Sequence, residues 1–205
     1  MGDRVFLLSP ASCRGRRAAQ LLSPKAKSAL AAQLRSSRGA PIGEVFTFFS
    51  SLYFRGKLTY ARRFAAPHDI HIITPIWGLQ QPDVQVTHAE ILEFARGDID
   101  LANASYRTPL EQSAAALRRT IGGARDVVLL GSIASPKYVG VLGAIFGDRL
   151  RFPIDFVGRG DMSRGGLLLR KASEGVELDY VAVAGAVRHG PRPPKLPPQP
   201  RLQCR

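Results

Sequence analysis

The sequence predicts a three-layer α/β/α domain around a mostly parallel central sheet of four to five strands. Three observations predict it. Apolar, β-branched runs bounded by turn residues recur along the chain. These runs are continuous rather than alternating, as in strands covered on both faces. Between them lie segments with apolar residues at helical spacing behind readable N-terminal caps. Strands alternating with helices give a parallel sheet with helices on both sides.

The run "RVFLLS" at 4–9 opens the sheet, and "IHIIT" at 70–74, "DVVLLGS" at 126–132, "RFPIDFVG" at 151–158 and "LDYVAVAG" at 178–185 supply the other strands. Pro153 lacks a ladder donor, which confines the fourth run to its later residues or to a sheet edge. Helix starts are predicted where Ser23-Pro24, Thr108-Pro109 and Ser135-Pro136 put a capping residue before a proline at the first helical position. Glu111 completes a capping box with Thr108, and Leu110, Ala114, Leu117 and Ile121 continue one apolar stripe. Val139, Leu142 and Phe146 form a similar stripe after Pro136. In "EVFTFFSSLYFRGKLTYARRF" at 44–64, Val45, Phe49 and Leu52 share a helical face. Most of these rings therefore belong to the core, and Arg55 and Lys57 are the expected surface residues.

A chain of 205 residues with 45% hydrophobic content can bury one sizeable core, so a single domain is expected over residues 1–187. From 188 to 205, "RHGPRPPKLPPQPRLQCR" is proline-rich with almost no apolar clusters, and is expected to be a basic, disordered tail. There is no internal repeat. The opening apolar run is too short for a signal peptide, and no window approaches the ~18 residues of a membrane span. A cytoplasmic monomer without membrane contact is expected. Cys13 and Cys204 offer neither a zinc spacing nor a disulfide framework and are read as free thiols. Arginines beside Cys13 would lower its pKa, but no histidine can be assigned as its partner. His68, His71, His88 and His189 have no metal-ligand spacing, so neither metal nor cofactor is expected.

The formal net charge is +13, and it is segregated. Basic side chains crowd residues 1–40 against Asp3 alone, and the stretch after 188 is free of acids. The stretch from His68 to Ser105 runs the other way, with Asp69, Asp83, Glu90, Glu93, Asp98 and Asp100 against Arg96. Such polarity is the footprint of a polyanion binder and makes nucleic acid, DNA foremost, the expected partner.

Open α/β sheets bind ligands beyond the carboxyl ends of their strands, where strand order switches. That rule selects four loops. "SPASCRG" after the first strand holds Ser9, Ser12 and Arg14. "TPIWGLQQPD" after the second holds Trp77, a stacking ring, Gln80 for a base edge and Asp83, a carboxylate. "GSIASPKY" after the third leads into a helix N-terminus with Ser135 and Lys137, suited to a phosphate. "GRGDMSRGG" at 158–166 matches neither the dinucleotide nor the Walker pattern. It reads as a clamp on phosphate, with Arg159 and Arg164 for charge, Ser163 as a cap and Asp161 as the only carboxylate. In the aromatic cluster, Phe54 and Arg55 are the stacking and phosphate candidates.

The layout resembles the uracil-DNA glycosylase superfamily across residues 4–185. "LLSPASCRG" stands where that family has its catalytic loop after the first strand, and "IASPKY" or "GDMSRGG" stands where it has a DNA-inserting loop. The family's water-activating motif and its His-Pro-Ser-Pro loop have no counterpart here, so the resemblance implies a divergent member whose catalytic carboxylate has moved or which relies on substrate destabilisation. It implies hydrolysis of the N-glycosidic bond of a flipped base in DNA, as in base-excision repair. Trp77 or Phe54 would stack, Gln80 or Asn103 would read the base edge, and Asp83 or Asp161 would position water. "LYFRGKLTYA" and "IITPIWGLQQPD" are also similar to α/β proteins linked to base modification of nucleic acids. The alternatives are therefore a nucleotide- or base-modifying enzyme and a non-catalytic nucleic-acid binder.

Overall fold

The structure is a computed structural model, and it describes residues 4–194 and 196. In chain order, β1 (Arg4–Leu8) leads through α1 (Arg16–Leu22), α2 (Ala29–Arg35), the short β2 (Ala40–Pro41), α3 (Ile42–Ser50) and α4 (Leu52–Phe64) to β3 (Ile70–Ile73). Next come β4 (Leu79–Gln80), β5 (Gln85–Val86), α5 (His88–Arg96), α6 (Ala104–Ile121) and β6 (Asp126–Leu130). Then α7 (Pro136–Phe146), β7 (Leu150–Pro153), α8 (Asp161–Glu174) and β8 (Tyr180–Ala182) complete it.

Six strands form the main sheet in the order β4-β3-β1-β6-β7-β8. The four inner strands are parallel, with Leu7 opposite both His71 and Leu129, and the two edge strands are antiparallel. This is the expected α/β architecture with one more strand. The addition is β4, drawn from a segment that reads as a loop; its Leu79 pairs with Ile73. Continuous apolarity marks the centre, where Val5 to Leu8 and Val127 to Leu130 are all fully buried.

The connections explain where a ligand would go. The chain leaves β1 toward β3 on one side, then returns past β1 to β6 and continues to β7 on the other. Right-handed crossovers therefore put α1–α4 on one face of the sheet and α6 and α7 on the opposite face. Accordingly α6 packs on α7, while α8 joins α4. The carboxyl ends of β1 and β6, where the connections diverge, frame a crevice.

The α4–α8 crossing is close because glycines meet there. A Cβ on Gly56 would come within 2.6 Å of the Gly165 carbonyl oxygen, and one on Gly165 within 2.7 Å of that of Leu52. The glycines of "GRGDMSRGG" thus serve helix packing as well as a turn. Aromatic cluster 44–64 is two helices rather than one, broken at Ser51, the only non-glycine with positive φ among the described residues (φ 46°, ψ −109°).

Other boundaries moved for local reasons. Ser23 ends α1 instead of starting a helix, since a residue before proline is driven out of the helical region (φ −59°, ψ 136°). Thr108-Pro109 lies inside α6, which starts behind Asn103, and Glu111 faces Arg107 at 3.6 Å instead of closing a capping box. The capping box belongs to Thr87 and Glu90 at the start of α5. Ser135-Pro136 does start α7. Pro153 is the last residue of β7 and pairs with Tyr180, and the residues after it, Ile154–Phe156, form a 3-10 turn. The fifth run narrows to β8.

Of the predicted tail, residues 188–194 have neither helix nor strand, and Leu196 packs partly buried against the core. Residues 195 and 197–205 of it lie outside the described residues, Cys204 among them. No helix is long and apolar enough to cross a membrane among the described residues.

Candidate functional site

A cleft of about 610 Å³ opens at the carboxyl ends of β1 and β6. The loop from Ser9 to Arg17 forms one wall, and Ser132, Lys137 and Tyr138 another, with Asp161 at the α8 start and Asp98 near the α5 end. Rings of Phe49, Tyr53, Phe94 and Tyr138 line it and are nine-tenths or more buried. It is thus an aromatic-floored cleft with charged groups at its margin.

Beneath the cleft lies Lys57. It projects from α4 into the core and is 1% exposed. Its Nζ donates to the Ser9 carbonyl oxygen at 2.5 Å and meets Ser9 Oγ at 2.9 Å. The rings of Tyr53 and Phe54 flank it at 4.3 and 4.9 Å from their centroids. Burial pulls its pKa from 10.5 down to about 7; Asp161 opposes this, and Arg164 reinforces it. No carboxylate forms an ion pair with it among the described residues. The expectation of a surface Lys57 is therefore wrong: position 57 continues the buried stripe of Tyr53, Tyr60 and Ala61, and the helix carries the lysine inward with it.

Ser9 extends the β1 ladder by one residue, its N–H donating to Leu130 O at 3.2 Å. Its side chain abuts Gly131, where a Cβ would lie 2.9 Å from Ser9 Cβ and 3.1 Å from Oγ. The Tyr53 hydroxyl is buried, with the Arg164 guanidinium beside it. Burial raises its pKa, with Arg164 opposing, so it is a neutral donor. Burial also pushes the Tyr138 phenol up to about 12, and nearby Asp161 adds to the effect. Cys13 is buried, and desolvation raises its thiol to about 12 against the weaker pull of Arg14. The arginines beside it in sequence therefore do not make it reactive.

The cleft brings together Ser9, Ser12, Arg14, Lys137 and Asp161 of the residues selected from the sequence. Arg14, however, is engaged. Its guanidinium donates to the carbonyls of Ala95 (2.6 Å), Arg96 (3.2 Å) and Gly97 (3.0 Å), closing the C-terminus of α5. The arginine clamp fares similarly. Arg164, 13% exposed, gives two hydrogen bonds to Phe156 O and lies 3.6 Å from Asp161, while Arg159 donates to Asp155 O and to Ser163 Oγ.

The remaining candidates stand outside the cleft. Asp83 is 71% exposed and pairs with Arg62 at 3.0 Å. Phe54 is fully buried, with its ring against Phe46, and cannot stack on a ligand. Arg55 borders a separate, shallow cavity with Glu44 and Phe48. Trp77 packs edge-on against Phe94 at 4.8 Å, and Gln80 donates to the Trp77 carbonyl at 2.8 Å. Asn103 caps α6 through its side chain, and Ser135 stands at the N-cap position of α7 without a side-chain bond to it. These are structural roles, set by the orphan groups of helix ends and turns.

Sequence reasoning missed Lys57, Tyr53, Tyr138 and Arg16 as parts of the site. Arg16 and Lys137 form no ion pair among the described residues, which leaves two cations at the margin. For Arg16 the available signal was its position at the start of the helix after β1, the counterpart of Lys137 after β6. No group of three His, Cys, Asp or Glu side chains gathers as a metal set among the described residues. Comparisons with protein-family models, curated proteins and solved structures find no match.

Proposed function

We propose that the protein is an enzyme that hydrolyses the N-glycosidic bond of a nucleotide unit, DNA being its expected polymer. The observation that carries this reading is one cleft holding aromatic rings, two cations without an ion pair among the described residues and a water-accessible carboxylate at the switch between β1 and β6. Aromatic walls suit a planar base taken out of its stack. Arg16 and Lys137 suit the flanking phosphates, and the overall charge of +13 suits a polyanion. Asp161 is 71% exposed, and its contact with Arg164 is loose at 3.6 Å, so it can hold a water against the anomeric carbon. As the bond to the base breaks, the sugar becomes cationic and the base anionic; Asp161 stabilises the first, and the Lys137 ammonium the second.

The test is a set of oligonucleotides carrying uracil, single- and double-stranded, treated with protein and then with alkali. Strand scission is expected, and Asp161→Asn should lower it by about 10²-fold or more while leaving binding intact. Salt-sensitive binding with intact strands would instead identify a non-catalytic binder. Base release from free nucleotides alone would identify a nucleotide enzyme.

A further inference from the structure

We propose that Ser9 and Lys57 form a serine–lysine pair, with Ser9 as a nucleophile toward an ester carbonyl in the cleft and Lys57 as the base behind it. Ser9 lines the cleft, and its Oγ lies 2.9 Å from Lys57 Nζ, whereas Lys57 itself is sealed inside. The Ser9 hydroxyl donates to Leu130 O at 3.3 Å and its Oγ accepts from Nζ. Once Nζ is neutral, a turn of the hydroxyl away from that long bond brings its proton to the nitrogen lone pair, which is the contact a base requires. Gly131 is a condition of this geometry, because a methyl group there would crowd the Ser9 side chain at 2.9 Å. Tyr53 lines the same cleft, and its phenol, which burial keeps neutral, lies against the Arg164 guanidinium, so its O–H proton is left to point elsewhere. Arg16 and Lys137 favour an ester that carries negative charge.

The step balances. The Ser9 Oγ–H proton passes to neutral Nζ as Oγ bonds to the carbonyl carbon. The tetrahedral oxygen then re-forms its double bond, the ester C–O bond breaks, and the alcohol leaves with the proton from Nζ. Water repeats the sequence, giving its proton to Nζ and its oxygen to the acyl carbon. Ser9 departs with that proton and the carboxylic acid is released. Burial keeps Lys57 neutral above about pH 7; the charged or titratable groups facing it are Asp161 and Arg164 of α8 and Tyr53 of its own helix.

An alkyl fluorophosphonate tests the pair without any nucleotide, so its outcome is independent of glycoside hydrolysis. Oγ bonds to phosphorus, fluoride leaves, and the proton goes to Lys57. One adduct is expected, on the peptide containing Ser9, at a rate that rises about tenfold between about pH 6 and 8 as the amine becomes neutral. Ser9→Ala should abolish it, and Lys57→Met and Lys57→Arg should each slow it by about 10²-fold or more. The proposal is overturned by an unlabelled protein at about pH 8.5, an adduct only elsewhere, or a rate indifferent to both Lys57 variants. Should neither variant fold, a wild-type rate without an inflection between about pH 6 and 8 overturns it.

Discussion

Replacing Lys57 with methionine keeps the chain length while removing the buried ammonium, and its effect on stability should depend on pH in one direction. The ordinary value of 10.5 falls to about 7 in the fold, which at about 1.4 kcal/mol per pH unit makes the charged form about 5 kcal/mol costlier than the neutral one. Below pH 7 the lysine is charged both folded and unfolded, and the full cost applies. Between about 7 and 10.5 the unfolded chain binds a proton that the folded chain does not, so wild-type stability rises with pH through this window. Lys57→Met lacks that rise. Urea unfolding of both proteins at about pH 6, 7.5 and 9 measures it. From about pH 7.5 to 9, wild type should gain on the variant by about 2 kcal/mol, and from about pH 6 to 7.5 by less than about 1 kcal/mol. A constant difference from pH 6 to 9 would refute the reasoning, since it would mean that Lys57 stays a cation, held by Ser9 O and the two rings.

Gly165→Ala would force a methyl group within 2.7 Å of the Leu52 carbonyl and 2.8 Å of Tyr53 Cα, so the urea midpoint should drop by the equivalent of about 1–3 kcal/mol; an unchanged midpoint would show that the helices can part freely. Arg164→Ala should cost about 1–2 kcal/mol by removing two part-buried hydrogen bonds to Phe156 O, which keeps only the Arg159 N–H at 3.2 Å, with loss of thermal stability as the readout, and a variant of wild-type stability would restore the arginine to a ligand-binding role. Ser51→Gly should stabilise by about 1 kcal/mol, because glycine adopts φ 46° without strain; a lower melting temperature would contradict this. Cys13, raised to about 12 by burial, should resist a thiol reagent at about pH 8 until urea is added, and rapid labelling of its peptide in the native protein would show the thiol to be accessible.

The sheet was legible because its central strands are apolar without interruption, and the divergence of connections at β1 followed from their order. Ser9, Lys137 and Asp161 were found by loop position for the same reason. Lys57 was misread because its charge outweighed its spacing, although Tyr53, Lys57 and Tyr60 recur at i, i+4 and i+7 on one helical face. Arg14, Arg159 and Arg164 were read as phosphate ligands because composition reports the sign of a side chain and not its partner. In the fold, backbone carbonyls of a helix end and of a single 3-10 turn, Ile154–Phe156, take their donors first. Asp83 and Gln80 were placed by sequence order beyond β3, but the chain folds back there as β4 and carries them away from the cleft.

The meeting of Gly56 and Gly165 has a consequence for how this protein can vary. Each glycine adjoins a charged residue of the interior, Lys57 on one helix and Arg164 on the other, so the distance between the helix axes sets how deep the lysine sits and how closely the arginine approaches it. A small side chain at either glycine would lift one helix, admit water and return Lys57 toward an ordinary amine, and would shift Tyr53 of α4 against Asp161 of α8 at the cleft without changing the chemistry of either. The crossing therefore works as a depth stop, through which residues remote from any ligand govern the acidity of the group beneath the floor.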